Sequence, residues 1–413
     1  MNVQINCGSQ VKGTVSISGA KNAIIPLLCA SLLAKGKVLF KNVPKITDVT
    51  ATCEVLRKIG CKVFFKGHYL LVDNTYLKYK PLLFDECIKM RGLYYLIGVF
   101  LTLFSKCEIY MPGGCKIGKR PIDIHLKAFE DMGYECIVKE NILKITRRTV
   151  LSDINISLKD RSVGATINSI LAGLSFNSYK IDNTLLEPEG ADVICFLKKI
   201  GYPIYVSNSL IQYKKIPIEF KFIKHKVIPD RIETLSYLLL GLLKGEILVK
   251  GANLNHIDQP LNLLIEAGYD IKIEEKGIRV KKSTGKGMVI ETKPYPGFPT
   301  DMQSIFGVLC ACQKESSIIV ENIFENRMQI YQDLINSGVN CIVEGNKVTI
   351  NGGSIDIKRS YSACDLRHGM ALILISCIEN KKVIIENFDY VLRGYDDIFN
   401  KLKGIGIFVK NIR

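Results

Sequence analysis

An amphipathic helical face, a glycine and a short apolar strand follow one another six times along the chain, as LRKIG-CKVFF, FEDMG-YECIV, FLKKIG-YPIYV, LIEAG-YDIKI, LINSG-VNCIV and KLKGIG-IFVK. A helical stripe repeats about every 3.6 residues and a half-buried strand every second residue, so the change of period at each glycine marks a helix end. The glycines are Gly60, Gly133, Gly201, Gly268, Gly338 and Gly406, separated by 73, 68, 67, 70 and 68 residues. Glycine just past an amphipathic helix is the usual stop, because it enters the left-handed region cheaply. An apolar strand precedes each helix and often closes in asparagine, at Asn42, Asn183, Asn322 and Asn387. This period is longer than that of the common solenoids, which predicts a small α/β fold for each unit.

Counting units also predicts the domains. The chain ends at Arg413, soon after Gly406, so the sixth unit lacks a closing half. Residues 3–8, VQINCG, resemble 348–353, VTINGG, of the fifth unit. The N-terminal segment is therefore expected to complete the sixth unit. Units one to three would form a domain over about 20–229, and units four to six a second over 1–19 plus 230–413. Two similar domains would leave a ligand cleft between them.

Composition narrows the class. The chain has 413 residues, is 47% hydrophobic and 23% charged, and so is not disordered. Its longest apolar stretch, Leu93 to Phe104, is too short to span a bilayer and predicts a buried helix. Fourteen cysteines are scattered without CxxC pairs, which suits a reducing compartment, and a cytoplasmic location is expected. The net charge of +16 comes from lysines spread along the whole chain rather than from a clustered patch or nucleic-acid module. It suits anionic small molecules, with no nucleic acid and no membrane as partner; a monomer is expected. The five histidines have no ligand spacing, and neither a Walker loop nor a Rossmann fingerprint occurs, so no metal and no cofactor is implied.

Charged and capping residues recur at matching points of the units: Lys21-Asn22, Arg91, Ser162-Val163-Gly164, Asp230-Arg231, Asp301, and Asp365 with Arg367. Aspartate or serine there is explained by helix capping alone. Lysine and arginine oppose the helix dipole, and make sense if an anion sits at the helix start. In MPGGCKIGKRP (111–121), Cys115 lies among Lys116, Lys119 and Arg120 with three glycines, a setting for a stabilised thiolate on a lid. PYPGFPTDMQ (294–303) fixes Asp301 in a rigid turn, which serves a general base and a helix cap equally well. DLRHG (365–369) and LRGYD (392–396) each offer an arginine fork to carboxylate or phosphate.

Taken together, SGAKNA (19–24), PGGCKIGKRPIDIHL (112–126), SVGAT (162–166), PDRIET (229–234), PGFPTDMQ (296–303), IFENR (323–327), DLR (365–367) and RGY (393–395) closely resemble the UDP-N-acetylglucosamine enolpyruvyl transferase family. The resemblance runs from about residue 8 to the C-terminus, and PGGC separates it from the sister shikimate-pathway family. It implies two inside-out α/β barrel domains built from six repeated units, with the active site in the cleft between them. The implied reaction moves the enolpyruvyl group of phosphoenolpyruvate to the 3′-hydroxyl of UDP-N-acetylglucosamine through a tetrahedral ketal, releasing phosphate, as the first committed step of peptidoglycan synthesis.

The resemblance also implies roles. Lys21, Asn22, Arg91, Cys115, Arg120, Arg367 and Arg393 would surround phosphoenolpyruvate. Asn22, Arg91, Arg120, Pro121, Ile122, Asp123, Ile124, His125, Ser162, Val163, Gly164, Asp301 and Ile323 would line the nucleotide-sugar site. Among the catalytic groups, Asp301 would take the hydroxyl proton and Cys115, the thiol that fosfomycin alkylates in the family, would protonate the methylene carbon. Lys21, Asp365 and Arg393 complete that set. The chain departs from the family at Gly92-Leu93 (usually Ala-Ser), at Lys116 and Lys119, at Asp160 (often Lys) and at Leu392 (usually Asp). These departures motivate a second reading, a catalytically weakened paralogue that binds the nucleotide sugar in a regulatory role. A third, an RNA-end-processing enzyme of related architecture, explains the charge but neither PGGC nor PGFPTDMQ.

Overall fold

The computed structural model describes residues 1–8, 11–34, 36–111, 122–219 and 222–412. The described residues form two compact units, one of 1–18 with 229–412 and one between 19 and 228.

Six small sheets carry the repeat among the described residues. In the first, Ile223–Lys226 runs parallel to Lys37–Lys41, which pairs antiparallel with Tyr69–Asp73, itself antiparallel to Lys62–Lys66. The same succession of one parallel and two antiparallel pairings recurs in the sheets containing Ser178–Asp182, Gly245–Lys250, Ser317–Val320 and Lys382–Glu386. The remaining sheet has three strands, and a lone parallel bridge from Leu82 to Ile109 fills the fourth position. Asn2–Cys7 lies between Lys382–Glu386 and Ile407–Ile412, the slot that Lys347–Asn351 takes between Ser317–Val320 and Asn340–Glu344. Val3 and Ile5 are fully buried there, as Val348 and Ile350 are.

Each unit buries three apolar helices. These are Lys21–Ala30, Tyr95–Phe104 and Val163–Gly173 in one, and Arg231–Lys244, Gln303–Ala311 and Leu366–Ile378 in the other. A helix apolar on nearly every face is stable only when enclosed. The six helices that end at the repeat glycines are amphipathic, burying one face and exposing the other. All six glycines have positive φ, from 85° at Gly133 to 124° at Gly201. Any other residue there would strain the turn from helix into strand. Asn42, Asn183 and Asn387 share the left-handed geometry; the corresponding Asn322 does not.

The thirteen described cysteines are all free. No helix among the described residues is long and apolar enough to cross a membrane.

Candidate active site

In the unit spanning 19–228, Lys21 opens a helix whose N-cap, Ala20, offers no side-chain acceptor. Its Nζ lies 2.9 Å from Asp48 Oδ2. Asp48 is buried in the first turn of Thr47–Lys58, where a carboxylate is favoured by the helix dipole, and it anchors the lysine head. Asn22, next along, is exposed. Arg91 opens a short 3-10 turn before Tyr95–Phe104, again with no side-chain cap. A Cβ at Gly92 would stand 2.8 Å from Ile25 Cγ2, so the glycine lets the Arg91 turn approach the helix that carries Lys21.

His125 is buried in Asp123–Asp131, behind the exposed Asp123. Ile122 is buried and Ile124 packs against the core, so both support the turn through their side chains. The Gly98 amide donates to Asn168 Oδ1 at 3.1 Å, leaving Asn168 Nδ2 to donate to His125 Nδ1, also at 3.1 Å. His125 is thereby fixed as the neutral tautomer with its proton on Nε2. A Cβ on Gly164 would meet that Nε2 at 3.2 Å, so the Ser162–Gly164 turn abuts the imidazole edge. Ser162 caps Val163–Gly173, accepting from the Ala165 amide, and Val163 packs on the core. Arg161 reaches the Thr184 carbonyl at 3.4 Å.

Burial first, then the charge of Arg91, pushes His125 down to about 4. Below pH 6.5 the unfolded chain binds a proton here that the folded protein does not. Stability is therefore lost progressively as pH falls from about 6.5 towards 4, by up to about 3 kcal/mol. The His125 imidazole resonance should stay at its neutral position down to about pH 5 in an NMR titration; a midpoint near 6.5 would contradict the buried, Asn168-fixed ring.

In the other unit, Asp301 sits on the turn before Gln303–Ala311 and is gripped by two arginines. Arg327 donates to Oδ1 at 2.6 Å and Arg367 to Oδ2 at 2.7 Å. The guanidinium side chains are 4% and 7% exposed and the carboxylate 22%. Burial pushes the Asp301 carboxyl up, but Arg367 and Arg327 override it and hold it well below the usual carboxylate range. Arg327 also donates to Thr300 Oγ1, which donates to Glu321 Oε2. Buried Glu321 further accepts from the Thr292 hydroxyl and from the Ile323 and Phe324 amides. One carboxylate thus ties the Asp301 turn to the IFENR segment and leaves the Ile323 side chain facing outward.

Asp365 caps Leu366–Ile378, accepting from the Arg367 and His368 amides at 2.7 and 2.9 Å. Arg393 follows the turn of helix Asp389–Leu392, and a Cβ at Gly394 would meet Leu366 at 2.5 Å. The RGY and DLR turns are therefore packed together. Buried Tyr395 interacts with Arg367 and lies 2.9 Å from Ser236 Oγ. Asp230 caps Arg231–Lys244, and the Arg231 guanidinium stacks over Tyr295 of the proline-rich turn, 5.7 Å from the ring centre.

Cys115, Arg120 and Pro121, with Lys116 and Lys119, lie outside the described residues. Asp48, Asn168, Thr300, Glu321 and Arg327 are additions that sequence reasoning missed. Arg327 stood inside the IFENR motif and Thr300 inside PGFPTDMQ; Asp48, Asn168 and Glu321 carry no signal beyond an ordinary polar residue near a helix or strand end.

Among the described residues, six small sheets and two sets of three buried helices frame these groups, and Arg327 and Arg367 meet on Asp301. The model of the EPSP synthase (3-phosphoshikimate 1-carboxyvinyltransferase) family matches residues 5–402. The fold is similar to that of the enolpyruvyl transferase NikO from Streptomyces tendae, with a TM-score of 0.88 at 18% identity over 99% of this chain and 98% of that one. EPSP synthase from Acinetobacter baumannii gives 0.77 at 15% identity, covering both chains fully. The sequence is 34% identical to UDP-N-acetylglucosamine 1-carboxyvinyltransferase of Halothermothrix orenii over 99% of both chains. It is 32% identical to that of Buchnera aphidicola over 98% of both. The chain belongs to the UDP-N-acetylglucosamine 1-carboxyvinyltransferase branch of the enolpyruvyl transferase family.

Proposed function

We propose that the protein transfers the enolpyruvyl group of phosphoenolpyruvate to the 3′-hydroxyl of UDP-N-acetylglucosamine and releases phosphate, opening peptidoglycan synthesis. The observation that carries this reading is Asp301 held between Arg327 and Arg367 by the PGFPTDMQ, IFENR and DLR segments. A carboxylate so paired is a weak base until one guanidinium finds another anion. Phosphoenolpyruvate brings such an anion, and Arg367 is the arginine the family motif assigns to it. Its transfer to the substrate restores basicity to Asp301, which then takes the hydroxyl proton as the sugar oxygen attacks the central carbon. Cys115 protonates the methylene carbon, giving the tetrahedral ketal. Collapse breaks the C–O bond to phosphate as one methyl proton returns to the Cys115 thiolate, leaving the enolpyruvyl ether. Lys21, held by Asp48, with Arg91, Arg120 and Arg393, neutralises the trianion. His125 with the Ser162–Gly164 turn, Asn22 and Ile323 bind the nucleotide sugar, and Asp365 positions Arg367 through its cap.

We place the protein in the cytoplasm, where free thiols persist and both substrates are made. The domains are taken as 20–229 and 1–19 with 230–413. Phosphate release from phosphoenolpyruvate by purified protein should require UDP-N-acetylglucosamine. Binding of the nucleotide sugar by calorimetry without any release would replace the transferase with a regulatory binder.

A further inference from the structure

Cys364, His368 and Asp333 form a cluster that the proposed reaction does not use. Cys364 immediately precedes the capping Asp365 and is partly exposed. Its Sγ lies 3.0 Å from His368 Nδ1, and its backbone N–H donates to the same nitrogen at 3.2 Å. That second contact identifies Nδ1 as the unprotonated position. On the far side of the ring, Nε2 lies 2.7 Å from Asp333 Oδ2, carried by the neighbouring helix Gln329–Asn336. The imidazole is 5% exposed and its own amide is held by Asp365, so its orientation is fixed from three directions. A thiol, a buried imidazole and an orienting carboxylate in that order are what a base-activated nucleophile requires.

We propose that Cys364 is a nucleophilic thiol, activated by His368 and Asp333, that peroxides oxidise to a sulfenic acid. His368 takes the thiol proton on Nδ1 while Asp333 holds the resulting imidazolium through Nε2–H. The thiolate attacks one peroxide oxygen; an S–O bond forms, the O–O bond breaks, and the leaving hydroxide takes the imidazolium proton as water. Sulfur loses two electrons and the peroxide gains them. Although burial opposes the charged ring, contact with Asp333 and Cys364 favours it, so the proton that the thiol gives up is held on the imidazole. Among the described residues the other partly exposed thiols lack this support: burial pushes Cys136 and Cys312 up to about 12 and Cys341 to about 11.

The site is coupled to Asp301 through one turn. An oxygen added to Sγ crowds the link that carries Asp365, whose carboxylate holds the Arg367 amide, and Arg367 grips Asp301. Oxidation therefore lowers transferase turnover; this consequence rests on the proposed function, while the thiol's reactivity does not.

The test is a brief hydrogen peroxide pulse on the full chain, trapping with dimedone, and peptide mass spectrometry. Cys364 should be labelled at least tenfold faster than the exposed Cys195, an ordinary surface thiol in the same molecule. Asp333→Asn, at a side chain 24% exposed, should slow Cys364 labelling about tenfold with little effect on folding. His368→Gln should slow it further. Equal rates at Cys364 and Cys195, or an unchanged rate in a folded Asp333→Asn protein, would overturn the activation. For the coupling, a dose that halves phosphate release by the unaltered chain should cost Cys364→Ser less than a fifth. Equal losses in both would place the inhibition at another thiol.

Discussion

Asp301→Asn should lower nucleotide-sugar-dependent phosphate release about a thousandfold, within the range that a positioned general base supplies. The amide cannot accept the hydroxyl proton, and only its oxygen can still receive a guanidinium. Arg327 and Arg367 are both nearly buried, so removing their shared counter-charge also costs about 3 kcal/mol of stability. For a domain of this size that corresponds to a fall of about 6–12 °C in Tm. The two effects separate when phosphate release is followed well below the transition, with calorimetry confirming that the nucleotide sugar still binds. A folded, binding-competent variant that kept more than a tenth of the activity would remove Asp301 from the base role.

Glu321→Ala should be the most damaging substitution for the architecture of this cluster. It strands the Ile323 and Phe324 amides and the Thr292 and Thr300 hydroxyls, four donors that converge on one buried carboxylate. Orphaned buried donors cost about 1–3 kcal/mol each, and partial relaxation leaves a net loss on the order of 4 kcal/mol. Denaturant unfolding should show a lower midpoint with an unchanged slope. Activity should fall further than stability explains, because Thr300 and Arg327 then lose the anchor that aims Arg327 at Asp301. Glu321→Gln keeps an oxygen for Thr292 and the two amides, and should recover at least half of the lost stability. Equal destabilisation by both substitutions would mean that the negative charge, not the acceptor geometry, holds the turn.

The legible part of this protein is the part governed by short-range rules. Gly60, Gly133, Gly201, Gly268, Gly338 and Gly406 could be aligned because a positive-φ stop after a helix leaves few alternatives to glycine. Asn322 shows the limit of that reasoning. It sits where Asn42, Asn183 and Asn387 are left-handed, yet its amide is held by the Thr292 hydroxyl and its backbone follows a different path. The capping aspects of Ser162, Asp230 and Asp365 were equally readable, since a side-chain oxygen two or three residues before a helical amide is a local contact.

Motifs located Asp301 and Arg367 but could not say that they touch. Sixty-six residues separate them, and twenty-six separate Asp301 from Arg327. The sequence by itself determined the six-fold period, the helix stops, the buried apolar helices and the residue types available for an anionic substrate. Only the tertiary structure decided that Asp48 anchors Lys21, that Asn168 fixes His125, that Glu321 ties two segments together and that Cys364 meets His368 and Asp333. Backbone propensity and capping act over a few residues. Pairing between charges or hydrogen-bonding groups far apart in the chain depends on how the buried helices pack, and no local pattern encodes that distance.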